Sequence, residues 1–148
     1  MTTLHDFAST AMAARGLAVV STLHGDSVSS SVVSVGVLPH PITQESVVAL
    51  VARSDSRKAN NLRRHPRATL IAVAGYRWVA VEGPVTLIGP DDPLDSLDAR
   101  QLAQLLREVY SAAGGHHPHW DEYDRSMREQ RRTAVLVTPS LVYTNPGT

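Results

Sequence analysis

The sequence predicts a mainly β fold with inserted helices, of the α+β class, in which six antiparallel strands form a small closed or partly closed barrel. Six segments carry the apolar runs or the two-residue alternation that strands require. Four further segments carry helical spacing and fall before and between these strands. Closing the sheet removes the exposed edges that a flat sheet of this size would leave.

Composition indicates one domain that covers residues 1–148. The chain has no internal repeat, linker or low-complexity segment, and its length suffices to bury a core. Fourteen basic residues balance fourteen acidic ones, so no global field favours nucleic acid or an anionic membrane. The absence of cysteine excludes disulfides, thiolate metal sites and thiol nucleophiles. No apolar run approaches a membrane span, so we expect a soluble cytoplasmic protein.

The elements follow from local patterns taken in order. Helical spacing predicts helices over residues 4–15, 94–113 and 120–131, and a short helix within the stretch 54–70. Alternation and β-branched runs predict strands over residues 17–23, 28–38, 46–52, 67–74, 76–88 and 133–143. Gly83 and Pro84 interrupt the fifth strand and predict a bulge or a bend there.

The stretch 54–70, SDSRKANNLRRHPRATL, concentrates positive charge between two apolar strands. At about 100° per residue its helix places Arg57, Asn61 and Arg64 on one face with Lys58 at the edge. Ala59 and Leu62 then turn towards the sheet. Free N–H groups and the helix dipole favour an anion at the start of this helix. The alternative is a solvated basic helix on the outside of the barrel.

The predicted second strand is unusually rich in serine. Serines at positions 27, 29, 30, 31 and 34 leave one of its faces polar. Such a face requires solvent, a ligand or a partner chain. A solvent-facing edge and a ligand-binding face both remain open as interpretations.

The loop HHPH places His116, His117 and His119 between the last two helices. These residues could protonate a product near neutral pH, or they could be surface histidines beside a helix cap. No carboxylate or cysteine pattern completes a metal site around them, so we predict no metal. The sequence identifies no obligatory catalytic acid, and the catalytic residues stay unknown.

Three segments together resemble the split β-barrel flavoproteins related to pyridoxamine 5′-phosphate oxidase. They are SRKANNLRRHPRATLIAV, VAVEGPVTLI and HWDEYDRSMREQRRTAVLVTPSLVY, in the family's order and with similar spacing over residues 17–143. The likeness is greatest to the branch that uses the deazaflavin coenzyme F420. The resemblance implies an FMN-binding-protein-like split barrel, a homodimer with cofactor sites between its subunits, and a cofactor phosphate held at the basic helix.

Carried over by position, Lys58 matches the family's phosphate-binding lysine, with Ser56, Arg57 and Asn61 as its neighbours. An ammonium and a guanidinium beside free N–H groups suit a phosphate.

The same resemblance places further residues near the cofactor. Ser29 and Ser31 match polar second-strand positions near the ring and the ribityl chain, and Ser54 stands just past the strand end where relatives carry a hydroxyl. Tyr76 and Trp78 match aromatic positions near the cofactor, although either could simply pack on the barrel.

The resemblance implies an oxidoreductase that uses coenzyme F420 for hydride transfer to a small organic acceptor. The alternatives are an FMN-dependent oxidoreductase of the same fold, or a non-catalytic protein that binds flavin, F420 or haem. Binding of nucleic acid by the basic helix is disfavoured because that helix carries no aromatic platform. Asp55 adds a negative charge beside the expected phosphate unless it points away.

Overall fold

The computed structural model describes residues 1–145, which form four helices and eight strands. In chain order these elements are α1 (Leu4–Ala13), β1 (Leu17–His24), β2 (Ser27–Ser34), β3 (Gly36–Pro39), β4 (Ser46–Arg53), α2 (Arg57–Arg64), β5 (Arg67–Ala74), β6 (Arg77–Ile88), α3 (Ala99–Ala112), α4 (Trp120–Glu129), β7 (Arg132–Val137) and β8 (Leu141–Tyr143). The predicted α+β class with a mainly antiparallel sheet is confirmed.

The strands hydrogen-bond in the order β2-β1-β5-β6-β7-β4-β3, and β8 also pairs with β6. Strand β6 joins the two halves because its first part pairs with β5 and β8, while residues 85–88 pair with β7. Gly83 and Pro84 stand where β6 passes from one half to the other, as the interrupted strand predicted. Within residues 1–145 the edge strands β2 and β3 do not pair with each other, so hydrogen bonds do not close the barrel.

The count of six strands is corrected to eight because two predicted strands are divided. Val35 separates β2 from β3. The next residue, Gly36, lies so close to α3 that a Cβ added to it would stand 2.5 Å from Ala112. Residues 138–140 separate β7 from β8, and here a Cβ on Gly83 would stand 1.8 Å from the carbonyl oxygen of Thr138. Both divisions occur where another segment crosses close to the strand backbone.

Two hydrophobic cores lie on opposite sides of the sheet. The first fills the barrel interior and includes Phe7 of α1, Val20 of β1 and Leu70 of β5. The second lies between the β3-β4-β7 half and the helices α3 and α4, and includes Leu106 and Tyr123.

Helices α1, α2 and α3 begin at side-chain caps, whereas α4 has none at His119. Thr3 and Asp6 form a capping box at α1, and Asp98 and Gln101 form one at α3. Helix α3 therefore begins at Ala99, five residues later than predicted. No helix in residues 1–145 has the length and apolar character required to cross a bilayer.

Candidate functional site

The basic helix α2 starts directly after the end of β4 and has a well-formed N-terminus. The Ser56 hydroxyl accepts a hydrogen bond from the Ala59 N–H at 3.2 Å and so caps the helix. The N–H groups of Arg57 and Lys58 lie in the first turn and have no intrahelical acceptor. The start of α2 therefore offers two backbone donors and the positive end of the helix dipole to an anion.

Asn61 does not share the outer face of α2, which corrects the predicted arrangement. Its side chain is 1% exposed, its Nδ2 donates to Oγ1 of Thr22 at 3.1 Å, and its Oδ1 lies 3.2 Å from Nδ1 of His24. Ala59 and Leu62 are buried as predicted. The side chain of Asn61 thus fixes α2 on the end of β1, and its polar atoms are occupied by neighbours within the chain.

Arg57 links α2 to the serine-rich strand. Its Nε donates to the Ser29 hydroxyl at 3.1 Å, although the two residues lie 28 positions apart. Ser29 and Ser31 are half-buried and lie on the same face of β2, since they pair with Thr22 and Val20 of β1. This bond uses one of five guanidinium donors, and Arg57 has no carboxylate partner among residues 1–145. The remaining donors are available to a ligand.

Lys58 is half-buried on the side of α2 that faces the sheet. At about 100° per residue it lies between the buried positions Asn61 and Leu62 rather than at the edge of an outer face. Its ammonium group forms no hydrogen bond or ion pair with any residue in the described chain. A lysine on this side of the helix with no partner in the described chain can offer its ammonium to a bound anion.

A shallow cavity of about 430 Å³ lies where β1 ends against α2. Arg57 and Arg64 give it a cationic wall, His24 also lines it, and Asn61 forms its floor. Asp55 also lines this cavity, but its exposed carboxylate accepts from Nε of Arg53 at 3.3 Å. The negative charge of Asp55 is therefore partly compensated by an arginine that lies outside the cavity.

Ser54 lies next to this site in a separate polar network. It is buried, and its hydroxyl donates to Asp91 while accepting from Nη2 of Arg63 at 2.9 Å. The Arg63 guanidinium also contacts both carboxylate oxygens of Asp92 at 2.7 and 2.8 Å. Arg131 donates to both carboxylate oxygens of Asp91, at 2.5 and 3.1 Å. The Ser54 hydroxyl thus forms its hydrogen bonds with side chains of the same chain. Its predicted contact with a cofactor stays a prediction.

The ionisation of this network follows from its hydrogen bonds. The Arg131 guanidinium and the Ser54 hydroxyl, both hydrogen-bonded to Asp91, lower the pKa of that carboxyl to about 2. The carboxylates of Asp92 and Asp91 raise the pKa values of Arg63 and Arg131, respectively. Asp91, Arg63 and Arg131 are therefore charged at neutral pH, and the network joins α2, the loop after β6 and the residue before β7.

The two predicted aromatic residues lie at the other end of the sheet. Tyr76 is fully exposed in the β5–β6 turn, and Trp78 packs edge-on against Tyr143 with ring centroids 6.2 Å apart. The end of β1 that contacts α2 pairs with β5 near Thr69. Thr69 lies about 17 Å along β5 from the β5–β6 turn. One chain does not bring these aromatic residues to α2, and their cofactor contact stays a prediction that requires a second subunit.

The histidine loop packs at a distance from α2. The ring of His117 contacts those of Tyr110, Trp120 and Tyr123, and its Nδ1 accepts from the backbone N–H of His119 at 3.1 Å. These contacts favour a packing role for His117. Within residues 1–145, no three histidine, aspartate or glutamate side chains are grouped to hold a metal ion.

The sequence left three contributors to this region unidentified. His24 and Thr22 hold Asn61, and Asp91 closes the network around Ser54. The two-residue period of β1 places Thr22 and His24 together on its inner face. This alternation was the sequence signal that could have identified them. No local pattern pairs Ser54 with a carboxylate 37 positions later.

Comparison with known proteins is informative over nearly the whole chain. The family described as pyridoxamine 5′-phosphate oxidase matches residues 4–145.

Solved structures share the fold at low sequence identity. A conserved hypothetical protein from Mycobacterium tuberculosis is 17% identical with a TM-score of 0.64, covering 96% of this chain and 83% of its own. A pyridoxamine 5′-phosphate oxidase-related, FMN binding protein from Nostoc punctiforme PCC 73102 is 12% identical with a TM-score of 0.60, covering 94% and 81%. A protein named F420 reductase is 13% identical with a TM-score of 0.58, covering 86% and 88%. At these identities the likeness establishes the fold.

Proposed function

Because the chain belongs to the pyridoxamine 5′-phosphate oxidase family, we propose that it is an oxidoreductase that uses coenzyme F420 for hydride transfer to a small organic acceptor. The observation that supports this most is Lys58, a half-buried lysine with no ion-pair partner among residues 1–145, next to Arg57 at the start of α2. The F420 reductase among the structural relatives agrees with this choice of cofactor.

The residues at α2 suit a phosphate-bearing cofactor. Lys58 and Arg57 supply two charges, the first turn supplies N–H donors, and Ser29 holds the Arg57 guanidinium in place through its 3.1 Å hydrogen bond. Ser56 contributes by capping the helix, because its hydroxyl already accepts from Ala59. In this arrangement Asn61 contributes to cofactor binding indirectly, because it holds α2 in position against β1.

The protein's part in the reaction is binding and orientation. When bound, a reduced deazaflavin supplies the hydride, and such chemistry belongs to the cofactor. The polar inner face of β2, with Ser29 and Ser31, adjoins the guanidinium of Arg57 and extends the cofactor site along the strand. We assign no catalytic acid to this chain.

We further propose that the active form is a homodimer. The outer face of β2, β1 and β5 carries large apolar side chains that are between 41% and 65% exposed: Leu17, Leu23, Val28, Val32 and Val73. The strand register places them on one face, with Val28 opposite Leu23. The hydrogen-bonded hydroxyls of Ser21 and Ser30 lie on the same face between these apolar positions. Exposed large apolar side chains grouped in this way are typical of an interface. A second copy would also bring another Tyr76 and Trp78 into the assembly.

An FMN-dependent enzyme is the second candidate, because the relative from Nostoc punctiforme is described as FMN binding. A non-catalytic protein that binds flavin, F420 or haem is the third. Equilibrium titration of the purified protein with F420 and with FMN separates the first two, and we expect F420 to bind at least tenfold more tightly. Tighter binding of FMN would favour the second candidate.

Turnover separates an enzyme from a carrier. Reduced F420 is mixed with the protein and a panel of organic acceptors, and its reoxidation is followed by absorbance. We expect at least one acceptor to accelerate reoxidation over a matched reaction with Lys58→Ala. Tight binding without acceleration by any acceptor would instead indicate a binding protein.

A further inference from the structure

A second cavity, of about 700 Å³, lies between the loop of residues 89–98 and the helices α3 and α4. Its volume is in the range of pockets that hold small organic ligands. Apolar side chains form most of its wall: Ile88, Leu94, Leu97, Leu102, Leu106 and Met127. Leu94, Leu97, Leu102 and Met127 are only half-buried, so they retain surface to offer an apolar ligand.

Arginines form the rim of this second cavity. Arg131 is occupied by Asp91, but Arg100 and Arg128 form no hydrogen bond or ion pair through their side chains in the described chain. Arg132 donates from Nε to the neutral Oε1 of Gln130 at 2.8 Å and also has no carboxylate partner there. The rim therefore offers three guanidinium groups that form no ion pair within the described residues, although the charge of Arg128 helps to lower the pKa of Asp124.

The carboxylates of the same cavity are already committed. Asp124 accepts from Nε of Arg107 at 2.9 Å and from its Nη2 at 2.5 Å, while Asp98 caps α3 through the N–H of Gln101 at 2.8 Å. Each of these carboxylates already accepts from a donor within the chain. The four arginines that line the cavity outnumber its two carboxylates, so its charge favours an anion.

Arg132 is the best placed of the three arginines. It stands at the first residue of β7 and is half-buried beside the apolar wall. Burial and the neighbouring charge of Arg53 lower the pKa of Arg132. A guanidinium that has lost part of its hydration and lies near another cation gains most from a bound carboxylate, which it can hold with two parallel hydrogen bonds.

From the apolar wall and the unpaired arginine rim, we propose that this cavity binds an amphipathic monocarboxylic acid. The hydrocarbon body lies against Leu94, Leu97 and Leu102, and the carboxylate binds Arg132 with support from Arg128. The site is distinct from the proposed cofactor site, since the residues that line it do not include any part of α2. Its existence does not depend on the choice of cofactor.

Calorimetric titration with three ligands of equal chain length tests this proposal. The probes are decanoate, decan-1-ol and decyltrimethylammonium, each added to the full chain in low salt without any coenzyme. We expect decanoate to bind at least tenfold more tightly than the neutral and the cationic probe. Equal affinity for decanoate and decyltrimethylammonium would overturn the proposal.

Two substitutions separate the charge from the cavity. Arg132→Gln should weaken decanoate binding about tenfold or more and leave decan-1-ol unchanged. Ala103→Trp, which places an indole at the half-buried cavity wall, should weaken both probes. If Arg132→Gln does not fold, as judged by thermal melting, Arg128→Gln replaces it as the charge variant.

Matched controls use arginine and lysine residues that lie outside the cavity. Arg125→Gln, on the exposed side of α4, should leave decanoate affinity unchanged. Lys58→Ala should also leave it unchanged, so a failure of the cofactor proposal does not count against this one. Decanoate affinity that survives both the charge variant and Ala103→Trp would exclude this cavity as the site.

Discussion

Asn61 in α2 donates a hydrogen bond from Nδ2 to Oγ1 of Thr22 in β1 at 3.1 Å, and both side chains are at least 98% buried. The bond joins residues 39 positions apart and sets how the basic helix lies against the sheet. Because α2 carries Arg57 and Lys58, this buried pair also determines where their charges lie.

We expect Asn61→Ala to lower the free energy of unfolding by about 1–3 kcal/mol, because it leaves the buried Thr22 hydroxyl without its donor. Urea unfolding measures the change. Asn60→Ala, at the exposed neighbouring position, should stay within about 0.5 kcal/mol of wild type. The double variant Thr22→Val with Asn61→Leu should cost less than the sum of its parts, and full additivity would contradict a direct interaction.

The stability of the Ser54 network should depend on pH in the acid range. Asp91 has its pKa lowered from 3.8 to about 2 in the folded protein, chiefly by Arg131 and then by Ser54. Between these values the unfolded chain binds more protons, so stability rises with pH. The contribution of Asp91 is therefore complete above about pH 4 and is lost as the pH falls through 2.

We expect Asp91→Asn to have a lower urea midpoint than wild type at pH 7, and the difference to shrink as the pH falls from 4 to 2. Asp26→Asn is the matched control, since Asp26 lies in the β1–β2 turn and forms no ion pair within the described residues. A difference between Asp91→Asn and wild type that stays constant with pH would show that the carboxylate charge is unimportant.

The apolar outer face predicts the state of assembly. Val32 is 65% exposed on the edge strand β2, opposite Val19. Light scattering should give twice the 16.0 kDa of one chain for wild type at micromolar concentration. Val32→Asp should give a monomer, because it places a charge within the group of exposed apolar side chains. Ile42→Asp, an equally apolar exposed position in the β3–β4 loop, should remain dimeric.

Loss of the dimer in both aspartate variants would show a general effect of charge. A monomeric wild type would contradict the interface itself.

The sequence specified most elements because their signals are local. The strand predicted over residues 67–74 has the observed bounds, since Pro66 and Gly75 mark both of its ends. The divisions at Val35 and at residues 138–140 were missed because their causes are tertiary: Gly36 lies against Ala112, and Gly83 lies against Thr138.

The candidate site was predictable only in part for the same reason. Residue types placed Arg57 and Lys58 at the start of a helix, and the structure has them there. Helical periodicity could not say which side of α2 faces the sheet, so Asn61 was assigned to the wrong face. The partners of Ser54 come from a loop 37 residues away, and only the folded chain brings them together.

The final prediction concerns Lys58, the only lysine in the chain. If Lys58 and Arg57 hold a cofactor phosphate, Lys58→Ala removes a charge-assisted contact worth about 1.5–3 kcal/mol, or about ten- to a hundredfold in affinity for F420. Raised salt should weaken the wild-type protein more than the variant, because one of the screened contacts is already absent. Titrations with F420 and FMN at low and moderate salt measure both effects.

The same titrations distinguish phosphate binding from a solvated basic helix. Arg125→Ala removes an exposed charge from α4 and should leave cofactor affinity within error. Lys58→Ala should keep its stability within about 1 kcal/mol of wild type, because alanine favours a helix and the Lys58 side chain forms no hydrogen bond or ion pair within residues 1–145. Any loss of affinity can then be attributed to the missing ammonium. An unchanged dissociation constant for Lys58→Ala, with Arg125→Ala also unchanged, would end the phosphate hypothesis for α2.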